Sequence, residues 1–271
     1  MSAEQQTNQA EAQQVLLDSL SSVAVGDQVG RELFDTVDLL QEQKSLLRGL
    51  TDPGRSAADR RKLAKNIFEG KVADQTLETL ELLAGQHWGK TDRFLTTLEN
   101  LGVSAILDGA RDEGLLSRVE DELFALNQLA GAERELRIQL SGVGGSDDTA
   151  RQAIADQLLT GRVCDPTLAL VKRAIHISGR GRLMQALRRC AVAAAEAKDT
   201  QLVTIATATE LTDEQRERLK KIISAQVGRD VSLAITVEPD LIGGFRINYG
   251  DEAADSSIRS ELGAARRELT R

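Results

Sequence analysis

The chain has 271 residues, 41% hydrophobic and 28% charged, and a net charge of −8. That length predicts two or three domains with ordinary globular cores, and the acidic balance disfavours a nucleic-acid partner, because phosphate neutralisation needs clustered basic residues. Two cysteines make no disulfide framework and no signal peptide is read ahead of the fold, so a reduced, cytoplasmic setting is expected. Nothing approaches the roughly 20 apolar residues that span a bilayer, AVAAA at 191–195 being far too short, so any membrane association is expected to run through partners.

In chain order, the first 200 residues read as helical, with few prolines and aliphatic cores, and their two halves resemble each other. GRELFDTVDLL pairs with EDELFALNQLA, setting Phe34 opposite Phe124. RRKLAKNIFEG pairs with RQAIADQLLTG, aligning Leu63, Ile67 and Phe68 with Ile154, Leu158 and Leu159. GKVADQTLETL from Gly70 pairs with GRVCDPTLALV from Gly161. Matching glycines and apolar registers over three segments predict a duplicated helical module. Arg55–Asp59 and GVGGSDD (142–148) are the corresponding loops, with Asp147 or Asp148 as cap of the next helix. Pro166 suits a first helical turn.

Trp88, in GQHWGK between two helical runs, is either a core anchor or an exposed partner anchor. GVGG lacks the preceding strand, the following Lys-Ser/Thr and the full glycine spacing of a phosphate loop, and reads as an ordinary connection. His87 and His176 stand without companions at metal-ligand spacing and read as surface or helix-end residues. Cys164 and Cys190 have no histidine at catalytic spacing and read as small hydrophobes. Arg180, Arg182, Arg188 and Arg189 read as a solvated helix face.

Beyond residue 200, LVTIATA is a β-rich run containing Leu202, Val203 and Ile205. Thr212 and Gln215 form a capping box, so a helix is predicted from Asp213, with Leu219, Ile222, Ile223 and Val227 as its buried stripe and Gly228 as its stop. Val231, Leu233, Ile235 and Val237 alternate with Ser232, Ala234 and Thr236 as in a half-buried strand, which Pro239 and Asp240 end. Gly243 and Gly244 open a further strand in which Phe245, Ile247 and Tyr249 share a face. Gly250-Asp251 closes it, and Asp255 or Ser256 is expected to cap a last helix with Ile258, Leu262, Ala265 and Leu269 on one side. Asp251, Glu252 and Asp255 do not have calcium-loop spacing and read as turn and cap residues. The fold class is therefore α plus α/β: duplicated helical bundle modules at 1–93 and 94–200, then a small β-α-β-β-α domain at 201–271. No catalytic, cofactor or metal constellation is read anywhere in the chain.

Asp240, Gly243, Gly244, Phe245, Ile247, Gly250, Asp251, Asp255, Ser257, Ile258 and Leu262 fill a D-x-x-x-G-G-φ-x-φ-x-x-G-D-x-x-x-D-x-S-φ-x-x-x-L frame, φ being apolar. This resembles the closing motif of the delta/OSCP subunit family of F-type ATP synthases. Residues 94–195 are similar to that family's six-helix bundle, LGVSAILDGARDEGLL fitting its opening helix and break. The family's usual glycine between the aspartate and serine is Ser256 here. Members are usually near 180 residues, so the first 90 or so are extra, as in long actinobacterial forms. Some of those are fused to a membrane-anchored stalk subunit, and this chain looks like the unfused form.

The resemblance implies a non-catalytic stator protein of the peripheral stalk. It would tie the alpha subunits of the catalytic head, with beta as a second head partner, to the b or b-prime subunit, at the cytoplasmic face of the bacterial cell membrane. The role would be to resist rotor torque during proton-driven ATP synthesis, with no cofactor. Two rival readings are an acidic helical adaptor of RNA-binding or transcription type, and an enzyme whose site assembles only with a partner.

Overall fold

The computed structural model describes residues 23–141, 147–178, 182–198, 201–227, 230–238, 244–249 and 252–257. Among them the helices α1 (Val23–Glu42), α2 (Lys44–Thr51), α3 (Ala57–Phe68), α4 (Asp74–Gly85) and α5 (Thr91–Asp112) are followed by a second set in the same order. That set is α6 (Leu116–Ala132), α7 (Arg134–Leu140), α8 (Asp148–Leu159), α9 (Asp165–Ile177) and α10 (Leu183–Ala197).

The repeat extends to the devices that start and stop the helices. Ser56 Oγ accepts from Asp59 N at the head of α3, and Asp147 Oδ1 from Ala150 N at the head of α8, which makes Asp147 the cap. Each cap satisfies an amide that has no partner inside its helix. Gly70 and Gly161 follow the ends of α3 and α8 with φ of 72° and 74°, a region that favours glycine. Pro166 lies in the first turn of α9, where its missing N–H costs no helical bond.

The helices enclose two cores. Leu33, Leu40, Leu50, Leu83, Trp88 and Phe94 lie in the first; Leu123, Leu170, Ile175, Leu187 and Ala194 lie in the second. Helix α5 serves both, giving Phe94, Leu98, Leu101 and Ala105 to the first and Ile106, Leu107 and Ala110 to the second. Residues 93 and 94, where the sequence divides the copies, thus lie in the first turn of α5. Phe34 also crosses: it stands on α1 but is buried in the second core, whereas Phe124 at the equivalent place on α6 is half-buried.

Four strands follow: β1 (Gln201–Thr207), β2 (Val231–Val237), β3 (Gly244–Tyr249) and β4 (Glu252–Ser257), in sheet order β2-β1-β3-β4. Helix α11 (Asp213–Val227) makes the crossover between the parallel strands β1 and β2. It begins with a reciprocal capping box, Thr212 N donating to Gln215 Oε1 at 2.9 Å and Gln215 N to Thr212 Oγ1 at 3.3 Å. Val203, Ile205 and Val231 bury one sheet face against Ile223 and the half-buried Leu219 of α11. Ile222 was expected in that stripe but is 50% exposed, because the small sheet is too narrow to cover it. The other face carries the buried Ala206 and Ala234, and their small side chains let α10 approach β1 and α6 approach β2.

A second expectation is corrected. Asp255 and Ser256 do not begin a helix; they lie in β4, opposite Arg246 and Phe245 of β3. Only Gly250 and Asp251 separate the paired Tyr249 and Glu252, so the chain returns at once along the open edge of β3 and satisfies its backbone there. The helix expected to carry Ile258, Leu262, Ala265 and Leu269 lies outside the described residues, as do Gly228, Pro239, Asp240, Gly243, Gly250 and Asp251.

Candidate partner groove

Helices α5, α9 and α10 diverge to leave a groove of about 540 Å³. Val103 and Leu107 of α5, Ile177 of α9 and Ala186, Ala193 and Ala197 of α10 line its apolar part, while Arg188, Arg189 and Glu196 stand along its rim. An apolar channel with a charged rim is the shape that receives the apolar stripe of an amphipathic helix. Glu99, Asn100, Ser104, Asp108, Arg111, Arg173 and Gln185 also line it, so its walls are mixed, with the apolar positions forming a stripe among polar ones.

Where Glu99 and Arg173 line it, the groove wall is part of a charged seam between the two copies. Arg173 of α9 has a side chain only 5% exposed. Its Nε and Nη2 donate to Glu99 of α5 at 2.8 and 2.6 Å, and its Nη1 donates to Asp38 of α1 at 2.8 and 2.9 Å. The guanidinium also sits 4.8 Å above the ring centroid of Phe34, so charge and packing converge on one side chain. Removing one partner from such a buried pair costs about 3–5 kcal/mol, since the other charge is left without compensation.

His176, one turn further along α9, faces Asp148 Oδ2 at 2.6 Å through Nδ1 and Asp38 Oδ1 at 3.2 Å through Nε2. The hydrogen bond to Asp38 foremost, with that to Asp148, pushes its pKa up to about 9 against the opposing effect of burial. Burial works against ionisation of Asp38 and Asp148, but bonds from His176 and the neighbouring arginines outweigh it and hold both carboxyls below the usual range. His176 is a helix-end residue, as expected, in the last turn of α9, and folding brings it two carboxylates from distant helices.

A second pair of carboxylates went unread although its signal was in the repeated Glu-Leu-Phe. Glu32 Oε2 accepts from Ala73 N and Thr76 Oγ1 at the head of α4; Glu122 Oε2 accepts from Cys164 N and Sγ at the head of α9. In each copy the first helix thus caps the fourth, and the favourable field of a helix N-terminus adds to the bonds. Cys164 is accordingly part of a polar cap rather than a plain hydrophobe. Burial raises the pKa of its thiol, and raises that of the fully enclosed Cys190 to about 12, which leaves neither as a thiolate nucleophile.

Trp88 is a core anchor: it is 5% exposed, donates Nε1 to Leu83 O at 2.7 Å and meets Phe94 edge-on at 5.3 Å. His87, Arg182, Arg188 and Arg189 are exposed. Gly142–Gly145 and Arg180 lie outside the described residues. Of the expected terminal motif, Gly244 opens β3 opposite Ser257, Asp255 lies in β4, and Ile258 and Leu262 lie outside the described residues. Among the described residues no group of His, Cys, Asp and Glu is placed to hold a metal, and no helix is long and apolar enough to cross a membrane.

The sequence profile of the family described as ATP synthase delta (OSCP) subunit matches residues 103–269. A protein of Kineococcus radiotolerans named ATP synthase subunit delta is 34% identical over 261 residues, covering 96% of this chain and 94% of its own. The protein of the same name from Salinispora arenicola is 33% identical over 240 residues, covering 89% and 87%. That of Corynebacterium urealyticum is 33% identical over 258 residues, covering 94% and 93%. These matches run through the first helical copy, so the extension belongs to such relatives too.

Proposed function

The chain belongs to the ATP synthase delta (OSCP) subunit family, and from that premise we propose that it is the non-catalytic link of the peripheral stalk. In this reading it ties the alpha subunits of the catalytic head to the b subunit, holding the head against rotor torque while protons drive ATP synthesis. The observation that carries the reading is the likeness to named delta subunits along nearly the whole chain. Membership also displaces the unrelated adaptor. The protein would sit peripherally at the cytoplasmic face of the cell membrane, held there by its partners.

The groove between α5, α9 and α10 is the place we assign to a helix of the head, because its apolar floor needs a covering stripe and its rim offers both charges. The C-terminal sheet domain is left for the b subunit. The working parts are copy one (α1–α4), copy two (α6–α10), α5 held in common, and residues 201–271. The test is Ala193→Arg, which puts a long cationic side chain into the groove. The variant is expected to keep its circular dichroism and its capture of b, and to lose capture of the alpha amino-terminal segment in a pull-down with purified subunits. Undiminished alpha capture would remove the groove from the function.

A further inference from the structure

The copies are not identical where they meet their neighbours. Helices α1 and α6 correspond at an offset of 90 residues, fixed by the capping carboxylates Glu32 and Glu122. At that offset Asp38 of α1 is equivalent to Gln128 of α6. Each reaches out of its own copy to the next unit along the chain. Asp38 accepts from Arg173 and His176 of the second copy. Gln128 Nε2 donates to Ile235 O at 3.0 Å and Thr236 Oγ1 at 2.9 Å, both on the edge strand β2 of the sheet.

The residues that receive Asp38 are not part of the repeated plan. Arg173 and His176 correspond to Leu82 and Gly85 of the first copy, at the offset of 91 that relates Gly70 to Gly161. Charges required by the module itself would recur in both copies. These occur once, at the junction, so their work is between copies. Phe34, buried in the second core under Arg173, adds an apolar anchor at the same joint.

We propose that Asp38 and Gln128 are equivalent docking residues, through which each helical copy fixes the orientation of the next unit, and that the charged first joint makes the ten helices one rigid body. The inference goes beyond the stalk reading and concerns the chain by itself, so it can fail without that reading failing.

The test uses the full chain without partner subunits. Spin labels are placed on introduced cysteines at the exposed positions Lys62, Gln157 and Lys221, the two native thiols being buried. Double electron–electron resonance then gives the distance distribution between 62 and 157 across the first joint, and between 157 and 221 across the second. Both are expected to be narrow in the unaltered chain. Asp38→Asn leaves Arg173 paired with Glu99, so the fold is retained; it should cost the 62–157 distribution its single narrow peak and leave 157–221 unchanged. Gln128→Ala should do the reverse. Should Asp38→Asn not fold, His176→Gln removes one cation from the same joint and takes its place. A joint whose distribution is unmoved by its own variant, or two joints that broaden together, would overturn the proposal.

Discussion

A histidine between two carboxylates gives the molecule a pH dependence of definite sign. His176 has an ordinary pKa of 6.5 and a folded value of about 9. Its contribution to stability is therefore complete below about 6.5 and is lost as pH rises through about 9. Asp38 and Asp148 are shifted the other way, so theirs is present above the ordinary carboxylate pKa of 3.8 and is lost on acidification. Urea denaturation between pH 6.5 and 9 should show stability falling with pH in the unaltered chain, and a shallower slope in His176→Gln. The imidazole is 37% exposed, so solvent screening keeps the effect small. Parallel slopes in the two proteins would mean that the two carboxylates do not hold the proton.

At the scale of elements, α1 and α5 share the most extensive contact among the described helices, and glycine lets them approach. A Cβ on Gly30 would lie 2.9 Å from Gly102 O and closer still to the Ile106 side chain; one on Gly102 would run into the Phe34 ring. Gly30→Ala should therefore push the helices apart and destabilise the chain by about 1–3 kcal/mol, the usual result of overpacking a filled contact. Thermal melts followed by circular dichroism would measure it, and an unchanged midpoint would show that the pair yields freely. What could be read of the elements beforehand was the part encoded locally. Asp147, Gly70, Gly161 and the Thr212–Gln215 box each act within a few residues of themselves, and the structure uses all of them. The seam was hidden because Arg173 finds Glu99 and Asp38 across 74 and 135 residues. Charges on a helix otherwise read as a solvated face. The strand Gly244–Tyr249 was legible from its alternation, but the open edge of β3 that draws Glu252–Ser257 into a strand is a property of the assembled sheet.

Across the whole molecule, the repeat tells which segments are alike but not where one can be cut from the other. The sequence break between residues 93 and 94 separates α1–α4 from Phe94, Leu98, Leu101 and Ala105, all buried in the first core. Each fully buried leucine or phenylalanine is worth about 1.5–3 kcal/mol, so losing this set removes much of the 5–15 kcal/mol that typically holds a domain together. Residues 1–93 should thus stay unfolded alone, although they contain the described helices α1–α4. A fragment ending at Gly114, a residue with φ of 71° just past α5, restores the missing wall and should fold. It would also expose Ile106, Leu107 and Ala110, which normally face the second core, so self-association is expected at high concentration. Far-UV circular dichroism of the two fragments at equal low concentration decides the matter. A cooperative melt for residues 1–93 would mean that the first copy is an independent module. Helix α5 would then be a connector, and not the shared wall that binds the duplication into one body.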